Sequence, residues 1–508
     1  MSYSLLDKTK ELLEILRVFV NNSPWRNQYL HIIEEYIISL KEPCRLAVTG
    51  RVKSGKSSLI NIILGEDLAK VGTSETTSTI NIFKYGVPKF SDKPILCEYT
   101  DGTSEWITKE NLDNLQGNTK EIIKQISKIK SLTYFIKNNC LKNTILIDTP
   151  GIDAVVGKEG DAHQEQTELF LGLRKQHEME TIALSNNADA VILLLGDVIH
   201  ESDKDFINAF LKNRGVYSCL NTIGVMSQID LTDERVLNRN INAKIRYNSL
   251  SEYVSCVLPV SVGIKRFMPS LEEAKNIKAI LSNISDKNIL DNILLRSEKM
   301  YLMSKLPGVS LTLEQRKSIY KQGEIPFRCF AVIAKVIYEN TTEDAVSILN
   351  EISGIDKLKV LLDSYFFNRS HQIKCEIAIR QAILIIWEII NCGKMDNTTQ
   401  SIDDVTLKDI SQNLSKIQHE FETILSITED ANKDFQSFTT LVENQQLFSK
   451  SEFEELKLLL SNQISVFDEN KMKYWFAMSN NTVNENKREI SKRAYFKYTD
   501  LAFQSQGK

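Results

Sequence analysis

Residues 48–61 read VTGRVKSGKSSLIN, and within this stretch Gly50 is followed after four residues by Gly55, Lys56 and Ser57. A short apolar segment precedes the loop, and an amphipathic run follows it. In such a strand–loop–helix context, glycines let backbone N–H groups surround a phosphate, and the start of the helix favours the anion. The stretch therefore predicts a phosphate-binding loop at the start of an α/β domain.

Each polar residue of the loop has a chemical role in this interpretation. Lys56 would span the β- and γ-phosphates of a nucleotide, and the Ser57 hydroxyl would ligate Mg²⁺. The residues predicted to contact the nucleotide phosphates are Gly50, Lys53, Ser54, Gly55, Lys56, Ser57 and Ser58. The alternative is a glycine-rich turn that carries an exposed lysine.

A second motif supports the nucleotide site. Residues 145–151 read ILIDTPG, an apolar strand that ends in Asp148. Asp148 would hold Mg²⁺ through a water molecule, and the Gly151 N–H would meet the γ-phosphate. The threonine-rich loop at residues 71–79 would close onto Mg²⁺ and the γ-phosphate through Thr77, which makes Thr77 a predicted metal ligand and catalytic residue. Thr76 is the alternative for this role.

A base-reading segment follows later in the chain. The apolar run at residues 222–226 leads into Ser227-Gln228-Ile229-Asp230, and aspartates in this place accept hydrogen bonds from guanine N1 and N2. Gln228 replaces the lysine that commonly packs over the base, and Ser261 ends the predicted final base-contacting loop. The segment favours guanine over adenine. The alternative is that Asp230 caps the helix that follows it.

The remaining pattern predicts an α/β fold joined to a helical region. Apolar runs at residues 144–147, 190–195, 222–226 and 254–260 are typical of a parallel sheet covered on both faces. A hairpin is expected around Asp101-Gly102. Strand signals stop after about residue 265, and the heptad-like spacing of Leu414 and Phe421 indicates a helical bundle.

Composition restricts the function classes. The chain has 508 residues with 62 basic and 66 acidic side chains, a net charge of −4, so nothing indicates a nucleic-acid partner. The eight cysteines are scattered, as expected in a reducing cytoplasm. The N-terminus does not read as a secretory signal. The apolar stretch at residues 375–392 contains Glu376, Arg380 and Glu388, which predicts a buried helix rather than a bilayer span.

Four stretches together resemble the GTPase domain of bacterial dynamin-like proteins, whose superfamily includes the mitofusins. They are GRVKSGKSSLINIILGED at 50–67, VGTSETTSTI at 71–80, ILIDTPGID at 145–153 and VLPVS at 257–261. The resemblance is specific up to about residue 265 and extends more loosely to residues 353–366. It implies Mg²⁺-dependent hydrolysis of GTP to GDP, stimulated when two G domains form a homodimer and often coupled to a membrane surface.

The resemblance also suggests a division of the chain. The fold class is an α/β P-loop GTPase domain with a mostly parallel sheet flanked by helices, plus an α-helical bundle or stalk. The predicted divisions are N-terminal helices at 1–40 that pack with the C-terminal bundle, a dynamin-type G domain at 41–265, a helical insertion at 266–352, a closing helix at 353–392 and a C-terminal bundle at 393–508.

Two departures from the family affect catalysis. Eukaryotic dynamins carry Gln-Ser where this chain has Val52 and Lys53. Val52 cannot orient water, whereas the Lys53 ammonium could replace a monovalent cation and act in catalysis, or be a solvated loop lysine. Ile152 follows DTPG, so the glutamine of small Ras-type GTPases is absent as well. A backbone carbonyl, Thr77, a partner subunit, or His163 and Gln164 would have to position the attacking water.

Contact with a membrane is the last expectation. Residues 471–481, KMKYWFAMSNN, combine aromatic and basic side chains as a peripheral membrane segment would, but such a cluster is more often part of a core. The sequence therefore predicts a cytoplasmic GTPase, peripherally associated with membranes. A GTP-controlled switch whose helical region binds a protein is the alternative, and a nucleotide-binding scaffold without useful hydrolysis is a third.

Overall fold

The structure is a computed structural model of the chain. It describes residues 4–51, 54–66, 80–114, 125–149, 188–196, 204, 221–231, 233–284, 287–294, 297–303, 311–322, 325–367, 369–392 and 404–506. Within these ranges, an α/β domain with one mixed sheet is followed by a long helical region.

Nine strands form the sheet in the described residues. They are β1 Cys44–Gly50, β2 Ile80–Tyr85, β3 Ile95–Tyr99, β4 Ser104–Ile107, β5 Ile129–Ile136, β6 Thr144–Asp148, β7 Ala190–Leu195, β8 Thr222–Met226 and β9 Val257–Pro259. Their order across the sheet is β4-β3-β5-β2-β6-β1-β7-β8-β9. Strand β1 is parallel to both β6 and β7, and β7, β8 and β9 continue in the same direction.

The carboxyl ends of these five strands therefore lie along one edge of the sheet, where ligands of open α/β sheets bind. The other side of the sheet is mixed, since β2 is antiparallel to β6 and parallel to β5, and β3 is antiparallel to β4 and β5. The predicted hairpin is confirmed as β3–β4. Strand β5 was not predicted, because Lys130, Ser131 and Thr133 interrupt its apolar pattern.

The helices of the described residues follow in chain order. They are α1 Leu5–Asn21, α2 Arg26–Ser39, α3 Lys56–Leu64, α4 Lys109–Asn114, α5 Asp233–Leu237, α6 Arg239–Leu250, α7 Val262–Arg266, α8 Leu271–Leu281, α9 Lys287–Leu294, α10 Glu298–Tyr301, α11 Leu313–Ile319, α12 Phe327–Glu339, α13 Thr342–Ser353, α14 Ile355–Leu361, α15 Ser370–Cys392, α16 Asp404–Glu443, α17 Lys450–Leu460, α18 Glu469–Asn481 and α19 Glu485–Gln506. Several begin at side-chain caps that the sequence encodes, such as Ser270, whose hydroxyl accepts from the Glu273 N–H while the Glu273 carboxylate accepts from the Ser270 N–H. A π-helical turn, Leu362–Phe367, lies between α14 and α15.

Three hydrophobic cores hold these elements together. One face of the sheet shares a core with α3 and the C-terminal helices, in which Trp475 is fully buried. The opposite face, with Leu193, shares a core with the helices between residues 271 and 353. The third core joins α1, α2, α15 and the first half of α16, where Leu414 and Phe421 lie at the predicted bundle seam.

The predicted fold class is confirmed by this arrangement of a mostly parallel sheet, flanking helices and a helical region. The predicted domain boundaries stay a prediction. In the described residues, the insertion at 266–352 packs directly on the sheet, and α16 takes part in two cores. None of the described helices is long and apolar enough to cross a bilayer, α15 included.

Candidate nucleotide site

The phosphate-binding loop starts where β1 ends. Gly50 has a φ of 152°, and a Cβ on it would lie 2.8 Å from the Leu194 carbonyl oxygen, so only glycine fits this close approach of two strands. Gly55 has a φ of 90° and immediately precedes α3, which begins at Lys56. The N-terminus of α3 therefore faces the loop, as an anion site requires. Val52 and Lys53 lie outside the described residues.

Lys56 is buried at the base of the loop. Its side-chain Nζ donates to the carbonyl oxygens of Gly50 at 3.0 Å and Arg51 at 2.9 Å. Burial lowers the pKa of the Lys56 ammonium to about 8, and the charge of Asp148 opposes this shift. A phosphate at the loop would supply the counter-charge that the burial of Lys56 calls for.

Ser57 and Asp148 meet next to this lysine. The Ser57 hydroxyl donates to Asp148 Oδ2 at 3.0 Å, although the two residues come from different elements, α3 and β6. Burial raises the pKa of the Asp148 carboxyl to about 6, while the Lys56 charge and hydrogen bonds from Ser57 and Asn81 oppose the shift. A hydroxyl beside a buried carboxylate is an oxygen donor set that fits Mg²⁺.

Asn81 is a site residue that the sequence analysis missed. It lies on β2 directly opposite Asp148 in the antiparallel β2–β6 pair, and its side chain hydrogen-bonds the carboxylate. A buried asparagine within the apolar strand INIF was the available signal, since buried amides need a specific partner.

Two further residues of this region are described. The Ser54 hydroxyl is buried and has no hydrogen-bond partner within the described ranges, so it is available to donate to a phosphate oxygen. Ser58, the next residue after Ser57, lies in the first turn of α3. Thr76, Thr77, Gly151, His163 and Gln164, which the sequence analysis named as site residues or candidates, lie outside the described residues.

The base-reading segment lies at the ends of β8 and β9. The Ser261 hydroxyl donates to Asp230 Oδ1 at 2.7 Å and accepts from the Ile264 N–H at 3.0 Å, so it both orients the carboxylate and caps α7. Gln228 is exposed and has a φ of 59°, which few non-glycine residues adopt. Helix α5 begins only at Asp233, three residues beyond Asp230. Asp230 thus contacts Ser261 and lies before the start of α5, and its role in base reading stays a prediction.

Comparisons with known proteins show what this chain resembles. Residues 46–229 match the model of the dynamin family. Over 210 residues the chain is 29% identical to Dynamin-like protein 2 of Campylobacter jejuni, covering 41% of this chain and 30% of that protein. It is also 40% identical over 47 residues, 9% of this chain and 10% of the relative, to the isoniazid-induced protein IniC of Mycobacterium tuberculosis. The chain thus spans less than a third of the length of these relatives.

Among solved structures, the chain is similar to an oligomerised bacterial dynamin pair described as a mechanism for the long-range sensing and tethering of membranes. That likeness has a TM-score of 0.34 at 15% identity and covers 98% of this chain and 86% of the other. The Era protein of Aquifex aeolicus bound to GDP and AlF₄⁻ is similar at a TM-score of 0.23 and 14% identity, over 48% of this chain and 68% of that one.

Proposed function

We propose that this chain, which carries a dynamin-family domain over residues 46–229, binds GTP and hydrolyses it with the help of Mg²⁺. The observation that carries the proposal is the 3.0 Å hydrogen bond from Ser57 Oγ to Asp148 Oδ2 beside the buried Lys56 ammonium. These groups bring a cation, a hydroxyl and a carboxylate to the end of the phosphate-binding loop. A bound Mg²⁺ would neutralise charge on the phosphates there.

In this proposal each side chain has one task. Lys56 leaves its loop carbonyls for the β- and γ-phosphate oxygens, and Ser54 donates to a phosphate from its buried place. Ser57 would hold Mg²⁺ directly, and Asp148 would do so through a water molecule. Thr77 is proposed to complete the metal site, Gly151 to donate to the γ-phosphate, and Lys53 to neutralise charge in the transition state.

The phosphate site is tested by Lys56→Ala. Without the ammonium, nucleotide affinity should fall by about a hundredfold or more, and removal of Mg²⁺ with a chelator should abolish hydrolysis in the unmodified chain. Lys473→Ala, on the exposed surface of α18, is the matched control and should bind GDP normally. A Lys56→Ala protein that binds and hydrolyses GTP at the normal rate would refute the assignment.

The choice of guanine rests on Asp230 and its bond to Ser261. Asp230→Asn should shift the preference from guanine to xanthine nucleotides, because the asparagine amide can donate to the xanthine 2-oxo group that replaces the guanine amino group. Competition binding with GDP and xanthosine diphosphate measures the shift. Comparable hydrolysis of ATP and GTP by the unmodified chain would show that the base assignment is wrong.

Activity is further proposed to rise when two G domains dimerise and to be coupled to a membrane. The support for a membrane is the aromatic–basic surface of α18 and α19, defined as Phe476, Arg488, Lys492, Phe496 and Phe503. All five side chains are exposed. The Phe476 ring lies 5.1 Å from that of Tyr495, and Lys492 Nζ lies 5.9 Å from the Phe496 ring centroid, so α18 and α19 share one surface.

Aromatic rings beside cations suit the interface of an anionic bilayer. The predicted cluster at residues 471–481 contributes only in part, since Trp475 is buried and its indole N–H donates to Glu455 at 2.9 Å. The competing function is a switch whose helical region binds a protein. Failure to sediment with anionic liposomes in any nucleotide state would favour that switch.

A further inference from the structure

The helices between residues 271 and 353 approach the base-reading segment directly. They share a core with the sheet face of β7 and with Ile229, the residue before Asp230. Helix α12 reaches the turn that contains Asp230, and α12 and α13 both contact α7, which begins just after Ser261. These helices, most of the predicted insertion at residues 266–352, thus pack directly against the proposed guanine site.

The closest approach involves Gly263 and Cys329. A Cβ on Gly263 would lie 3.0 Å from Asp230 Oδ2 and 3.2 Å from Cys329 Sγ, so a side chain at this position would displace its neighbours by a few tenths of an ångström. Cys329 lies in α12 and is fully buried. One oxygen of the Asp230 carboxylate is therefore held by Ser261, and the other lies against the α7–α12 contact.

A second set of contacts, from α13 and the residues just after it, fixes the position of α7 and of the segment between β9 and α7. The Ser261 N–H donates to the Ser353 carbonyl oxygen at 2.9 Å. A Cβ on Gly354 would lie 2.1 Å from the Pro259 carbonyl oxygen, which leaves no room for any other residue. Lys265 Nζ donates to Asn350 Oδ1 at 2.7 Å and to Asp356 Oδ1 at 2.8 Å.

We propose that the helices of residues 266–352, through their contact with α7, set guanine selectivity by positioning the Asp230 carboxylate, with Gly263 of α7 and Cys329 of α12 as the positioning residues. The inference rests on the proposed function. A carboxylate that accepts from both guanine N1–H and the 2-amino group needs both oxygens in the base plane. In this proposal Oδ2 accepts from the 2-amino group, so a displacement of a few tenths of an ångström at Gly263 acts on Oδ2 and weakens that bond.

Inosine diphosphate measures this bond, because its base keeps N1–H and lacks the 2-amino group. The unmodified chain should prefer GDP to inosine diphosphate by about tenfold to a hundredfold, the range for one pair of good base contacts. In Gly263→Ala the preference should fall to about threefold or less, mainly through weaker GDP binding. Binding is measured by titration calorimetry on the full chain, with thermal melting to show that each variant is folded.

Cys329 provides an independent pair of variants. Cys329→Ser keeps the side-chain volume and should keep the preference, whereas Cys329→Leu should push α7 toward Asp230 and reduce it. Cys375→Leu is the matched control, since it enlarges a fully buried cysteine in the core of α1, α2 and α15. It should lower the melting temperature without changing the preference.

These outcomes separate the inference about the positioning of Asp230 from the proposed function. An unchanged preference in folded Gly263→Ala overturns the inference and leaves the proposed function standing, whatever Cys329→Leu does. A reduced preference in Gly263→Ala with an unchanged one in Cys375→Leu supports it. If the unmodified chain does not bind GDP, or binds it no better than inosine diphosphate, the guanine assignment fails and the inference fails with it.

Discussion

Asn81 and Asp148 lie directly opposite each other on β2 and β6, and the asparagine side chain hydrogen-bonds the buried carboxylate. Strand β2 runs antiparallel to β6, whereas β1 on the other side of β6 runs parallel to it. This antiparallel pairing places Asn81 opposite Asp148, beside the phosphate loop. Asp148 is thus fixed from two sides, by Ser57 and by Asn81.

Asn81→Leu tests this orientation, because leucine has a similar size and cannot donate a hydrogen bond. The Mg²⁺ concentration needed for half-maximal tightening of GDP binding should rise about tenfold, as for other groups that orient metal ligands. Thr133→Val, a buried polar residue on the neighbouring strand β5, is the control and should leave the Mg²⁺ requirement unchanged. Equal requirements in Asn81→Leu and the unmodified chain would exclude the role.

The lowered pKa of the Lys56 ammonium leads us to expect that phosphate binding depends on pH. Its pKa of about 8 means that the ammonium is charged below pH 8 and neutral above it in the empty site. Since phosphates bind the charged form, Mg²⁺-free affinity for GDP should be constant near pH 7. It should then fall by up to about tenfold per pH unit above pH 8.

Lys56→Arg is the control for this dependence, because arginine stays charged over the whole range. Any titration of the nucleotide appears in both proteins, so the difference between them isolates Lys56. Parallel pH profiles for lysine and arginine would contradict the assignment.

The Lys374 side chain connects the helical region to the segment that precedes the first strand of the sheet. Its buried Nζ, on α15, donates to the carbonyl oxygens of Ser39, Glu42 and Pro43, which connect α2 to β1. Lys374→Met would leave these acceptors without their donor and should lower the free energy of unfolding by about 2–4 kcal/mol. Denaturant titration measures it, and the exposed Lys473→Met should change it by less than about 0.5 kcal/mol. An equal loss of unfolding free energy in Lys374→Met and Lys473→Met would contradict a stabilising role of these Lys374 hydrogen bonds.

Removing exposed rings from the aromatic–basic surface should weaken lipid binding. Phe476→Ser combined with Phe496→Ser should weaken sedimentation with phosphatidylserine vesicles by about tenfold, because two exposed rings no longer enter the interface. Tyr85→Ser with Phe90→Ser removes two equally exposed rings near β2 and should have no effect. Identical sedimentation of both double variants would place lipid contact elsewhere on the chain.

Local motifs in the sequence were enough to predict the centre of the site. Gly50, Gly55, Lys56 and Ser57 lie within one short stretch of the chain, and Asp148 ends a strand that is apolar because it is buried on both faces. The resemblance to dynamin-like GTPases is confirmed by the family match over residues 46–229. The site assignments remain predictions, and several of them, Lys53 and Thr77 among them, lie outside the described residues.

The remaining features depend on distant parts of the chain. Asn81 acquires its role from the register of β2 on β6, and Cys329 from a helix that packs beneath Asp230 more than 90 residues later in the chain. Strand pairing of this kind is set by tertiary contacts that no local pattern records. The aromatic cluster at 474–476 shows the same limit, because one ring is core and its neighbours are exposed.

GTP turnover per subunit, measured against protein concentration with and without anionic liposomes, tests the central claim most directly. A dimer-stimulated, Mg²⁺-dependent GTPase predicts that turnover per subunit rises with concentration and rises further with liposomes, and that Lys56→Ala is inactive throughout. A turnover that is independent of concentration and of lipid, or no turnover above that of Lys56→Ala, would contradict it.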